Sequence, residues 1–116
     1  MSDLTKAREL ANRRNRVIAS KRKEISEMEP RRGCGVLAGV IENPTTDEAT
    51  GRIGHWLTAP AGITEFQAER LLARMDLNPS RRLRDLTPRQ VALVAYAVSN
   101  GFVLSFTKDR FGDDAA

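Results

Sequence analysis

The sequence predicts an all-α fold, and three of its features support that prediction. Residues 2–28 contain neither proline nor glycine, and their apolar residues recur at roughly helical spacing. Segments 64–67 and 87–90 read Thr-Glu-Phe-Gln and Thr-Pro-Arg-Gln, and both are capping-box signatures of a helix start. The second also carries proline at the first helical position, where proline is favoured. A chain of 116 residues is large enough for one modest core, together with an arm or a tail.

The first predicted helix, residues 2–28, is basic and has only a thin apolar stripe. Its stretch 13–23 contains six basic residues and no acidic one, namely Arg13, Arg14, Arg16, Lys21, Arg22 and Lys23. Such a helix buries little surface by itself and depends on a partner for its order. It can lie along a phosphate backbone or remain a frayed arm in solvent, and the sequence leaves both readings open.

The positive charge is concentrated at the N-terminal end of the chain. Residues 1–32 contain ten Lys or Arg and five Asp or Glu, a net charge of +5 against +4 for the whole chain. The other 84 residues therefore sum to −1. An asymmetry of this kind favours an arm that engages a polyanion.

The composition gives little support to several classes of protein. Cys34 is the single cysteine, so no intramolecular disulfide can form, which fits a reducing cytosol. No apolar run is long enough to span a bilayer, and no signal-peptide hydrophobic region is present. With one His and one Cys, a zinc site or a His-centred catalytic set would need unusual ligands. We therefore expect no enzyme activity, no cofactor, no metal, no membrane association and a cytoplasmic location.

A second helix is predicted over about residues 33–43, after a break at Pro30–Gly33. Its apolar residues are Val36, Leu37, Val40 and Ile41, and we expect them to pack on the core. Gly35 and Gly39 stand four positions apart. That spacing indicates a close contact with another helix.

A third short helix is predicted over about residues 47–59, with interruptions near Gly51 and Gly54. His55 lies beside Trp56 and can contact a ligand. A lone His on a small helix is more often structural or simply exposed, and we expect that of His55.

The Pro60–Thr64 turn opens a fourth predicted helix, at about Glu65–Met75. The two helices and their turn resemble a helix–hairpin–helix, in which backbone N–H groups of the turn hold a phosphate. Gly62 and Thr64 are therefore candidate phosphate contacts.

The most informative segment is Asn78–Gln90, which connects the fourth helix to a fifth, Pro88–Ser99. Three arginines occupy four of its positions: Arg81, Arg82 and Arg84. Closely spaced arginines on a constrained connection beside a helix N-terminus suit a phosphate backbone. If the segment is extended, Arg82 and Arg84 share one side and Arg81 faces another, whereas in a turn all three can converge. Leu83 and Leu86 are expected to anchor the segment to the core. The alternative is a solvated charged loop that Asp85 partly neutralises.

The order of these parts resembles the actinobacterial integration host factors, a family of small nucleoid-associated proteins with an S13-like helix-two-turns-helix fold. The resemblance is close over about residues 47–97 and covers residues 1–46 only in general plan. It is most specific at residues 78–90, where the family carries a nearly identical Pro-Thr-Arg-Arg-Leu-Arg-Gly-Leu segment. The resemblance implies a long basic N-terminal helix followed by a small S13-like helix-two-turns-helix bundle. By this match Arg81, Arg82 and Arg84 are the expected DNA contacts, and Arg89 of the same segment is counted with them.

One position departs from the family pattern in a way that matters for binding. The family's hairpin reads close to Val-Gly-Lys-Val, whereas residues 63–66 here read Ile-Thr-Glu-Phe. Thr64 can still cap a helix and donate through its hydroxyl. Glu65 in place of lysine opposes a phosphate.

The function that the resemblance implies is architectural. We expect a protein that binds duplex DNA through its backbone, with little sequence preference, and bends or compacts it in the nucleoid. The expected parts are a basic arm (1–32), a helical DNA-binding domain (33–101) and a C-terminal tail (102–116). The sequence leaves two alternatives, which are an RNA- or ribosome-associated S13-like module and a protein-interaction paralogue with weakened DNA binding. A recombination or nucleoid protein is a further expected partner, and the gene can be actinobacterial or phage-borne.

Overall fold

The computed structural model describes residues 3–100, which form α-helices joined by turns and short loops. The helices are α1 (Asp3–Ser26), α2 (Pro30–Glu42), α3 (Ile53–Leu57), α4 (Glu65–Arg74) and α5 (Pro88–Ser99). Single 3-10 turns cover Glu48–Thr50 and Leu83–Asp85. The predicted all-α class and the long N-terminal helix are confirmed. The expectations for the tail, residues 102–116, lie outside the described residues.

Helix α1 has an exposed first half and a packed second half. Between Asp3 and Arg16 only Thr5 and Arg14 are partly covered, and the other residues are exposed. Ile18 and Ile25 are buried in the core. The apolar stripe that the sequence shows on this helix is therefore used for packing only in its second half, and the first half extends into solvent.

Helix α2 begins earlier than predicted. Residues 30–33, predicted as the break after the first helix, form the first turn of α2, where the missing N–H of Pro30 costs nothing. The Glu29 carboxylate caps the helix by accepting a hydrogen bond from the Arg31 amide over 3.1 Å. The close approach in this region is at Gly33, where an added Cβ would lie 3.0 Å from the Ile25 carbonyl oxygen.

The prediction of a close helix contact at Gly35 and Gly39 is wrong. Both glycines are exposed, and a Cβ added at either would meet no atom within 4 Å. The spacing of two glycines does not say which face of a helix they occupy. Helix α2 packs against α5 through its other face, which contains Leu37 and Ile41.

The segment 47–59, predicted as a helix interrupted near Gly51 and Gly54, is two short elements separated at Gly51 as predicted, whereas Gly54 lies within α3 and does not interrupt it. Trp56 is fully buried, and its indole N–H donates to the Glu48 carbonyl over 3.2 Å. A Cβ at Gly51 would stand 2.4 Å from that indole nitrogen. The backbone can therefore lie this close to the indole only because residue 51 is a glycine.

Helices α4 and α5 begin as the sequence predicts. The Gln67 amide donates to the Thr64 hydroxyl over 3.2 Å, and the Thr64 amide donates back to the Gln67 side chain over 2.9 Å. Thr87 and Gln90 repeat the same pair of bonds over 3.2 and 2.9 Å. Both capping boxes are confirmed, and they fix where the two connections end.

All five helices contribute to one core. Its fully buried large residues include Ile25, Leu37, Ile41, Ile53, Trp56, Leu57, Leu71, Leu72, Val94 and Val98. Since each helix is anchored in the same core, the connections between helices are held at fixed positions relative to each other.

Gly51, which lies against Trp56, and Gly35, which is exposed, give a matched test of this packing. We expect Gly51→Ala to destabilise the fold by about 1–3 kcal/mol, because its methyl group would collide with the buried indole. We expect Gly35→Ala to be neutral or to stabilise by about 0.5–1 kcal/mol, because alanine is the better helix former at an open position. Urea unfolding of both variants measures the difference. Equal effects of the two substitutions would contradict the close approach at Trp56.

Candidate nucleic-acid interface

The arginine segment is held to the start of α3 by backbone hydrogen bonds. Segments 51–54 and 79–83 run antiparallel, with Arg52 opposite Arg82. The amides of Ile53, Gly54 and Leu83 donate to the carbonyls of Arg81, Pro79 and Gly51 over 2.7, 2.9 and 3.0 Å. These bonds fix the backbone that carries Arg81, Arg82 and Arg84, and they couple it to the buried core beside Trp56.

The leucines of this segment anchor it as predicted. Leu83 is buried, and Leu86 is partly buried against the core. Asp85 is exposed and forms no ion pair with an arginine in the part of the chain that the structure describes. No ion pair there supports the alternative in which Asp85 neutralises its neighbours, and the segment keeps a net positive charge because its arginines outnumber its single aspartate.

An open groove of about 610 Å³ lies between α1 and the arginine segment. We call it the arginine groove and define it by Arg14 of α1, Arg52 and His55 beside or in α3, and Arg82 and Arg84 of the segment. Among the described residues no carboxylate lines it. Four guanidiniums and one imidazole thus share a surface without an acid, which is an arrangement suited to an anion.

The three predicted arginines of the segment have different surroundings. Arg82 and Arg84 line the groove, whereas Arg81 is exposed and does not. The segment is extended at Arg82, with φ of −84° and ψ of 153°, and turns at Leu83–Asp85, yet the three arginines do not all converge on the groove. Arg82 is half-buried, and its guanidinium donates to the Thr50 carbonyl. Arg82 therefore ties the segment to the core, while Arg81 and Arg84 present exposed side chains.

Part of the basic charge on α1 is used within the fold. Arg22 donates from Nε to the His55 carbonyl over 3.0 Å and from its terminal nitrogen to the Thr58 hydroxyl over 3.1 Å. Burial lowers the pKa of its guanidinium below the ordinary value. Arg22 thus clamps α1 to α3. Neighbouring Lys23 is exposed, and Lys21 pairs with Glu24 over 3.0 Å.

The other basic residues of α1 are divided between two sides of the helix. Arg13 and Arg14 approach Asp47 with Nε–carboxylate distances of 3.7 and 4.0 Å. Arg14 lines the arginine groove, but Arg13 and Arg16 line a separate shallow depression farther along the helix. Of the α1 residues predicted to contact DNA, only Arg14 lies in the groove itself.

The hairpin lies beside the arginine segment but contributes acidic side chains. Gly62 is exposed with φ of +85°, and the Thr64 hydroxyl is occupied as the cap of α4. Glu65 and Glu69 line a second, smaller groove of about 290 Å³, which includes Ser80 at its far side. Arg52 and His55 line both grooves, so they mark the boundary between the basic and the acidic surface.

The positions of Arg89 and Arg52 relative to the grooves could not be predicted from the sequence. Arg89 is exposed in the first turn of α5 and lines neither groove. Arg52 was not a candidate, because no neighbouring residue in the sequence marks it. Only the antiparallel pairing brings Arg52 opposite Arg82.

His55 is exposed yet electrostatically disfavoured as a cation. Burial of part of the ring lowers its pKa, and the positive charges of Arg22 and Arg52 lower it further. These effects favour the neutral imidazole in the free protein. Cys34 is unlike His55, because it is buried in the core and burial raises the pKa of its thiol.

Two other kinds of site have no counterpart in residues 3–100. No group of three or more His, Cys, Asp or Glu side chains there is placed to hold a metal ion. None of the helices in this range combines the length and the apolar character that crossing a bilayer requires.

Comparison with protein-family models, with curated proteins and with solved structures gives no match to this chain. The resemblance to the actinobacterial integration host factors therefore remains a prediction from the residues quoted for it.

Arg22 and Lys23 allow a test of which basic residues of α1 serve the fold. We expect Arg22→Ala to lower the free energy of unfolding by about 1–2 kcal/mol, because it removes two hydrogen bonds that join α1 to α3. Lys23→Ala removes the same charge from an exposed neighbour and should change stability by less than about 0.5 kcal/mol. Denaturant unfolding of both variants provides the measurement. A loss of stability with Lys23→Ala as large as that with Arg22→Ala would show that net charge, and not the clamp, determines stability.

Proposed function

We propose that this protein binds duplex DNA through the phosphate backbone, with little sequence preference, and bends or compacts it. The observation that carries the proposal is the arginine groove, where Arg14, Arg52, Arg82 and Arg84 share one surface that no described carboxylate lines. Guanidiniums gathered in this way repel each other in the free protein. A polyanion relieves that repulsion, and arginine binds phosphate with paired N–H donors.

The position of the groove favours the DNA backbone over the base edges. The arginines project from the side of α1 and from a turn-rich segment, not from a helix or a β-ribbon shaped to enter the major groove. Contacts of this kind fix the position of a protein on a duplex without reading its sequence. The exposed first half of α1, residues 3–16, extends the basic surface beyond the groove.

The rigidity of the segment also favours binding. Its backbone is already held by the bonds to residues 51–54, so little ordering accompanies contact with a phosphate. The acidic surface limits the orientation of the duplex. Glu65 and Glu69 repel a phosphate backbone, so the duplex follows the α1 side of the groove and avoids the start of α4.

This proposal agrees with the resemblance to the integration host factor family and extends it to Arg14 and Arg52. A location on the nucleoid follows from it, and a nucleoid or recombination protein as an additional partner fits the same role.

The exposed arginines of the segment provide the experiment. We expect the double variant Arg81→Ala/Arg84→Ala to stay folded, because Arg82 keeps its bond to the Thr50 carbonyl. Its affinity for random-sequence duplex should fall, and the slope of log K against log salt should decrease by about 0.9 for each phosphate that the variant no longer neutralises. Fluorescence anisotropy at several salt concentrations measures both quantities, and the decrease in affinity should be alike on unrelated sequences.

The matched control is Arg31→Ala/Arg32→Ala, which removes the same charge from exposed positions of α2. A similar decrease in affinity in the two double variants would contradict the groove as the site. Equal competition by duplex RNA would instead favour the structured-RNA module.

A further inference from the structure

His55 is the only histidine of the chain, and it lies inside the arginine groove. We propose that His55 is a proton-linked phosphate contact, so that a phosphodiester bound in the groove is held by a protonated imidazole beside the arginines. Binding then takes up at most one proton from solution. This inference rests on the proposed DNA binding and adds a residue and a pH dependence to it.

The backbone of His55 is fixed, although its ring is open to solvent. Its carbonyl accepts hydrogen bonds from Arg22 Nε and from the Thr58 hydroxyl, both over 3.0 Å. The residue is nevertheless exposed and lines the groove together with Arg52 and Arg82. An anion that reaches these guanidiniums therefore meets the imidazole without a rearrangement of the backbone.

On the α1 side of the groove, one N–H group of Arg14 donates no hydrogen bond. Its Nε is buried and has no hydrogen-bond partner, and the Asp47 carboxylate approaches it only to 4.0 Å. Among the described residues, the charge of Arg14 is thus balanced only by this long ion pair with Asp47.

The charges around His55 determine its protonation. Arg14 and Arg22 face it from α1, Arg82 and Arg84 from the segment, and Arg52 from the start of α3. From α4, Glu65 and Glu69 line the second groove with it.

In the free protein, partial burial together with Arg22 and Arg52 keeps the pKa of His55 low. A bound phosphodiester places a full negative charge among these cations and favours the imidazolium, which raises the pKa.

The sign of the pH dependence follows from this shift. If the pKa of His55 is higher in the complex than in the free protein, the complex binds more protons between the two values. Affinity then rises as the pH falls through that window, and it is flat above the bound-state pKa and below the free-state pKa. The rise cannot exceed about tenfold per pH unit for one proton. The protonated histidine also acts as an additional cation, so the salt slope should be steeper at acidic pH than at alkaline pH.

The experiment measures affinity for random-sequence duplex from about pH 5.5 to about pH 8 at constant ionic strength. We expect the parent protein to bind several-fold more tightly at the acidic end. His55→Gln keeps a polar side chain but cannot carry the proton, so its affinity should match the parent near pH 8 and lack the acidic increase. Arg84→Gln is the matched control, because it removes an exposed groove charge that does not titrate and that is not among the charges lowering the pKa of His55. It should bind more weakly at every pH and retain the increase.

A second measurement uses the parent protein alone. The chain has a single histidine, so its one imidazole Cε1–H resonance can be followed against pH by NMR, which gives the pKa of His55 in the free and in the duplex-saturated protein. A higher pKa in the complex supports the inference, and an unchanged or lower one overturns it. An equal acidic increase in His55→Gln also overturns it while leaving DNA binding intact. Absence of duplex binding at every pH would overturn the proposed function itself.

Discussion

The backbone pairing of residues 51–54 with residues 79–83 is the constraint on which the candidate site depends. It joins two segments that lie far apart in the sequence, and it makes the arginine segment part of the core. The pairing requires glycine at both ends of the first segment, since a Cβ at Gly54 would stand 2.8 Å from Pro79 Cβ and one at Gly51 would meet Trp56. The same packing that buries the tryptophan therefore places Arg52 opposite Arg82.

Helix α1 serves the fold and the candidate site with different parts of its length. Ile18 and Ile25 join the core, and Arg22 clamps the helix to α3, while the residues before Val17 are largely exposed. The arginines of this basic helix fall into two groups. Some satisfy the hydrogen-bonding needs of neighbouring backbone, and others remain available to meet an anion. The structure separates the two groups, which composition alone merges into one charged arm.

The sequence predicted those features whose causes are local. The two capping boxes and the leucine anchors of the arginine segment depend on residues a few positions apart, and the structure contains them. Sequence reasoning failed where the cause was a partner distant in the chain. The spacing of Gly35 and Gly39 did not reveal that their face of α2 is open, and nothing near Arg52 indicated its partner. The groove arises from three segments, so no single motif could predict it.

Our proposal is that a polyanion binds in the groove between α1 and the arginine segment. Chemical-shift mapping with a short random-sequence duplex tests that placement most directly. We predict that the largest amide shifts fall at residues 11–19, 50–55 and 81–85, and that the open face of α2 around Gly35 and Gly39 stays unchanged. Shifts concentrated on α2, or on α4 around Phe66 with the groove unaffected, would contradict it.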